Sequence, residues 1–240
     1  MYKITVGWMY PDLLNLHGER GSLQGLIAIG ANLGLDVEVR RIENFDEPIP
    51  FDELDILMFL PGEITSFKYL VPAMQRQMEE LKAYVEKGGY ILGIGTSGMM
   101  FGKEVKREDG TVQEGLGLLD MTATERHLVW GDDLILRVKD TRHEMIGCQN
   151  MMADVQTTQP FGKVIYGYGN NGGTDEGARY KNVIYTNCIG PVLVKNPWFT
   201  EDILKDICLN KFLGLQKKKP YKLACDSFDS AEEFVMSKKK

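Results

Sequence analysis

Only three histidines, His17, His127 and His143, occur in 240 residues. None stands in a pattern that marks a general base or a metal ligand, so most imidazole chemistry is excluded at once. Four cysteines, Cys148, Cys188, Cys208 and Cys225, are widely spaced with no Cys-x-x-Cys pair. That excludes the usual zinc and dithiol patterns and fits reduced thiols, packed as small core residues, in a cytoplasmic protein. No metal site and no cofactor is expected. No apolar run approaches the roughly 20 residues of a spanning helix, and Met1-Tyr2-Lys3-Ile4-Thr5-Val6 lacks the layout of a signal peptide. Membrane insertion is not expected. Positive charge is also short: 28 Lys and Arg face 34 Asp and Glu, a net −6, which argues against nucleic acid as a partner. No internal repeat is apparent.

What is present suits one α/β domain over residues 1–215, followed by a lysine-rich C-terminal tail, 216–240, expected to be loosely held. An apolar content of 43% is enough for a sizeable core. Alternation gives strands at 3–8 and 37–42, and an apolar run gives a third at 54–60. Ser22 is the expected N-cap of a helix closed by Gly34. Pro72 is expected in the first turn of one helix carrying Met74, Met78, Leu81 and Val85 as a core stripe. Strands alternating with helices imply a parallel sheet with crossover helices. After Gly102 the pattern changes to short strands at 134–138, 144–148, 163–168 and 183–187. Thr200 is the expected cap of a last helix, with Glu201 and Asp202 in its first turn.

The chain is organised around residues 79–102. Gly88 and Gly89 end a helix, Tyr90 to Ile94 form a buried strand, and Gly95-Thr96-Ser97-Gly98 turns sharply toward a further helix. Strand, tight turn, helix is the layout of a nucleophile elbow. Here the first residue after the strand is Gly95, which carries no nucleophile and relieves the strain an elbow imposes. Gly93-Ile94-Gly95-Thr96-Ser97-Gly98 also has dinucleotide spacing, but it follows the fourth strand rather than the first and lacks the downstream acid. Ser97 fails the G-x-S-x-G frame because Met99 replaces the second glycine.

Several collinear stretches over about residues 1–210 resemble the CobB/CobQ-like glutamine amidotransferases, most of all the glutaminase subunits of lipid II isoglutaminyl synthases. They are Asp12 to Gly21, Leu92 to Gly102, Asp109 to Asp120, Gly162 to Asn171, Tyr180 to Asn182 and Gly190 to Pro197. The resemblance implies a class I amidotransferase fold: a flavodoxin-like parallel sheet flanked by helices, with additional short strands in the second half. It also implies a cysteine at the elbow and a histidine from a later loop that release ammonia from glutamine for a Mur-ligase-like or other ATP-dependent synthetase partner. Such chemistry needs an activated thiolate and backbone N–H donors for the oxyanion.

Carried over position by position, that chemistry is missing. Gly95 stands where the family has its cysteine, and Ile189 where it has its histidine. The Gly-Gly-Gly turn that serves the oxyanion reads Leu60-Pro61-Gly62, and Pro61 has no N–H to give. The Gly-Phe-Glu-Asn-His stretch reads Gly147-Cys148-Gln149-Asn150-Met151. Pocket candidates are therefore Pro61, Gly62, Gly95, Thr96, Ser97, Asn150, Met151, Cys188 and Ile189. The resulting expectation is a non-catalytic, glutaminase-like subunit that docks to a synthetase. Two alternatives stay open: a small-molecule binding domain using the vacated, more apolar pocket, and an enzyme acting through a relocated nucleophile. Cys188, Thr96 and Ser97 are the candidates for relocation, although alternation turns a neighbouring residue to the opposite face and no histidine is placed to activate any of them.

Overall fold

The computed structural model describes residues 2–211, 213–215 and 222–239. Alternating apolar residues form β1 (Tyr2–Met9), and α1 (Gly21–Asn32) crosses back to β2 (Leu35–Ile42). The wholly apolar β3 (Ile56–Phe59) follows, then α2 (Phe67–Gln75), α3 (Met78–Glu86) and β4 (Tyr90–Ile94). A second sheet comes next, made of β5 (Glu104–Lys106), β6 (Val112–Glu114), β7 (Met121–Val138), β8 (Glu144–Thr157), β9 (Gly162–Tyr166) and β10 (Asp175–Glu176). The chain then returns through β11 (Ala178–Tyr180) and β12 (Val183–Thr186) to α4 (Val192–Lys195), α5 (Pro197–Asn210) and α6 (Lys222–Ser237).

The main sheet has the order β11-β12-β4-β3-β1-β2. All its pairings are parallel except the antiparallel edge strand β11. β3 and β4 have no exposed residue, because helices cover both faces, as crossover connections require. One core layer holds Met9, Phe59, Phe67, Met74 and Leu81; the other holds Leu26, Ile29, Met58, Leu92 and Leu204. The loops after β3, β4 and β12 therefore meet at the carboxyl edge of the sheet, where open α/β sheets place their sites.

Several sequence expectations are corrected. The Pro72 helix is two helices: Pro72 lies inside α2, and the stripe of Met74 and Leu81 continues across a break at Arg76 and Gln77. Ser22 does not cap α1; its hydroxyl donates to Glu19 Oε1 at 2.6 Å. The last long helix before the tail begins at Pro197 with Asn196 at its cap position, and the Thr200 hydroxyl donates back to Leu193 O. The turn after β4 leads into a 3-10 run, Gly95–Phe101, not an α-helix. The short strands at 134–138 and 144–148 belong to a long hairpin, β7–β8, whose register shifts between Glu125 and Trp130. Within the tail, Lys222–Ser237 is helical and buries Val235 against Ile135 and Ile146, while Lys217 to Lys219 and Lys240 lie outside the described residues. No helix among the described residues is long and apolar enough to cross a membrane.

Candidate functional site

Gly95 leaves β4 with φ +64, a left-handed conformation that costs an L side chain about 1–2 kcal/mol and glycine nothing. A Cβ placed there would lie 3.1 Å from Pro61 Cγ, 3.3 Å from Pro61 Cβ and 3.5 Å from Ile189 Cγ2. Residues from three separate loops thus converge on one point. The expected positions of thiol, imidazole and oxyanion turn are brought together, and what stands there is carbon. Gly62 stays a glycine for a packing reason, since a Cβ would sit 2.5 Å from Leu13 O.

Thr96 does not turn away from this point, as strand alternation led one to expect. It lies just beyond β4, within the 3-10 run, where the two-residue period no longer applies. Its Oγ1 accepts the Gly62 N–H at 3.2 Å and donates to Gly62 O. The Gly62 N–H is thereby occupied from within the protein. Ser97 is fully buried, donating to Phe59 O at 2.8 Å with Ile94 O at 3.1 Å as a second acceptor. Among the described residues no base is hydrogen-bonded to it.

The loop after β12 hangs between two buried carboxyl groups that sequence reasoning did not single out. Glu176 accepts from Asn187 N at 2.7 Å and from the Thr186 hydroxyl. Glu19 accepts from Gly190 N and Val192 N, both at 2.7 Å, and from Ser22 Oγ. Both carboxyl groups are essentially solvent-free. Burial pushes Glu176 up to about 7, against the lowering from the Asn187 N–H and the Thr186 hydroxyl. Between them Ile189 is fixed by paired backbone bonds to Cys148, with Ile189 N to Cys148 O at 2.8 Å and Cys148 N to Ile189 O at 3.1 Å. Cys188 is not placed as an exposed thiol. It is fully buried, and its sulfur packs so close to Gly147 that a Cβ there would lie 2.5 Å away. Burial, then the charges of Glu176 and Glu19, holds its thiol far above the usual range, the opposite of an activated cysteine.

Met151 is buried and Asn150 half-buried on β8, which packs against the 3-10 run. Gln149, at the position matched to the family's glutamate, spends its amide on the Tyr168 backbone. The dinucleotide-like spacing is explained by packing: a Cβ at Gly93 would meet the Phe101 ring at 2.4 Å, and one at Gly98 the Tyr185 ring at 2.3 Å. The three histidines are all exposed; His127 pairs with Glu108 and His143 stacks on Trp198. Among the described residues no group of three or more His, Cys, Asp or Glu converges as a metal site.

The profile of the CobB/CobQ-like glutamine amidotransferase domain matches residues 5–196. The chain belongs to this family. It is 31% identical over 223 residues to the Staphylococcus aureus (strain N315) lipid II isoglutaminyl synthase (glutamine-hydrolyzing) subunit GatD, covering 91% of this chain and 90% of that one. It is 27% identical over 204 residues to the GatD subunit of Streptococcus pneumoniae (strain ATCC BAA-255 / R6), covering 81% and 76%. Among solved structures, a glutamine amidotransferase superimposes with a TM-score of 0.54 at 14% identity, over 84% of this chain and 98% of that one. A Thermotoga maritima glutamine amidotransferase gives 0.53 at 11% identity, over 99% and 94%. The class I amidotransferase-like fold expected from the sequence is the fold observed. In this CobB/CobQ-like chain, Gly95, Pro61 and Ile189 form the meeting point of the three loops.

Proposed function

We propose that this chain is a catalytically silent, glutaminase-like subunit of a cytoplasmic lipid II amidation complex, one that supports a Mur-ligase-like or other ATP-dependent synthetase without supplying ammonia from glutamine. The relatives named as subunits of a glutamine-hydrolysing lipid II synthase support the setting. The silence rests on one observation: where a thiol and an imidazole have to meet, Gly95 faces the carbon atoms of Pro61 and Ile189. Losing nucleophile and base together, with the oxyanion turn also altered, leaves no step of thiolate catalysis intact. A ligand-binding use of the same pocket has no observation in its favour. Pro61, Gly95, Thr96, Ser97, Met151 and Ile189 are all buried.

The test is a sensitive ammonia-release assay on purified protein with glutamine, alone and with the synthetase that co-purifies from the native host. No release above the uncatalysed background is expected, together with recovery of a ligase-type protein. Glutamine-dependent release that disappears in Cys188→Ala or Ser97→Ala sinks the silent reading. Failure to recover any ATP-dependent ligase sinks the supporting role.

A further inference from the structure

Sheet edges invite pairing with another chain, and proteins usually shorten or cover them. Here β6, β10 and β11 end after two or three residues. The first half of the β8 edge is sealed: Trp198 Nε1 donates to Glu144 O, the Asn196 amide bonds both Ile146 N and Ile146 O, and Ile189 pairs with Cys148. Among the described residues β2 is neither short nor covered, although four of its eight residues, Asp36, Glu38, Arg40 and Arg41, are charged. It runs eight residues, Leu35 to Ile42, in unbroken register with β1, without proline, glycine or bulge. Among the described residues β1 is the only strand paired with it.

The side chains of β2 say what could lie beside it. Glu38 and Arg40 share one face, tied into a row with Lys3 and Glu53. Val37, Val39 and Arg41 share the other face, the side of α1, where Val37 lies against Gly30 and Arg41 over the Trp8 ring. This edge carries charges of both signs, so a second copy can meet it with unlike charges opposed. A two-fold axis through the sheet makes a second β2 antiparallel and keeps like faces together. Directly opposed residues must then be an even number apart or identical, which leaves three central registers. Centring on Glu38 opposes two carboxylates, and centring on Arg40 opposes two guanidiniums. Centring on Val39 places Glu38 against Arg40 twice and Val39 against itself, with Val37 beside the Arg41 stem and Asp36 beside Ile42, extending the row as Lys3–Glu38–Arg40–Glu53 across the axis.

We propose that β2 is a homodimer interface, pairing antiparallel with the β2 of a second copy about Val39 to make one continuous sheet of twelve strands from the two six-stranded sheets. This contact lies at the lateral edge of the sheet, away from the loops that follow β3, β4 and β12. It stands or falls independently of the lost catalysis.

Sedimentation velocity on the full chain tests it, with concentration raised to about 200 μM, a range that detects weak association. The 27.1 kDa species is expected to give way to one of twice the mass. Val39→Lys opposes two ammonium groups on the axis and abolishes the dimer, while its circular dichroism stays that of the wild type because the lysine stem can lie along α1. Glu38→Arg weakens association by about tenfold or more, and adding Arg40→Glu restores it, because each swapped pair again opposes unlike charges. In a Cys225→Ser background, Val39→Cys cross-links to its own copy under mild oxidation, since opposed Cβ atoms of an antiparallel pair lie about 4.5–5.5 Å apart. A single 27.1 kDa species throughout, or a dimer indifferent to Val39→Lys and to the charge swap, overturns the proposal.

Discussion

Two parts of the same carboxyl edge have opposite chemical character. At the centre, Gly95, Pro61 and Ile189 meet through carbon, and the Gly62 N–H is taken by Thr96. Around it, the loop from Thr186 to Val192 is held by hydrogen bonds to two buried carboxyl groups, Glu19 and Glu176. The centre is met by carbon, while its frame is built with costly polar burial. A frame of this kind keeps the shape of the edge independently of what the centre does.

The sharpest way to break the comparison is to rebuild the centre inside the unchanged frame. Gly95→Cys with Ile189→His alone is expected to give no measurable glutaminase, because Pro61 and Thr96 still block the oxyanion turn. Adding Pro61→Gly and Thr96→Gly should bring ammonia release at least about 100-fold above the assay background at which the double variant stays, the usual worth of one oxyanion donor. Equal activity of double and quadruple variants contradicts the role given to Thr96. Removing the frame comes next: Glu19→Ala strands three donors and should cost roughly 4 kcal/mol in urea unfolding, with Glu19→Gln costing about half.

Glu176 gives a pH signature. Its folded value, about 7, lies above that of an ordinary carboxyl, so the native state holds the extra proton in between. Stability is therefore full below about pH 4.5 and falls as pH rises through about 7, by on the order of 3 kcal/mol. Glu176→Gln should flatten that slope; an unchanged slope assigns it to other groups. The smallest effect is at the turn itself. Gly95→Ala should destabilise by about 1–2 kcal/mol through its left-handed backbone, with the part due to crowding relieved by Pro61→Gly.

Much of this was legible in the sequence. β4 was read at its observed limits because a short, fully apolar run between glycines admits little else, and the convergence of residues 61, 95 and 189 followed from the family resemblance. Other elements left no readable trace. The apolar stripe from Met74 to Val85 keeps helical spacing across the break at Arg76 and Gln77, so periodicity cannot register two helices. The long β7–β8 hairpin was missed because residues 122–133 are mostly polar, and the register shift between Glu125 and Trp130 interrupts their alternation. Glu19 and Glu176 read as surface acids, since nothing local announces that an acid is enclosed by backbone donors from elsewhere in the chain.

The bond from Gly190 N to Glu19 joins residues 171 positions apart. During synthesis, the acid near the start must wait, hydrated, until most of the polypeptide has left the ribosome and the segment after β12 arrives. Closure of the carboxyl edge is thus an end-of-assembly event, and a truncation before Val192 leaves that edge unfinished however well the early strands have paired.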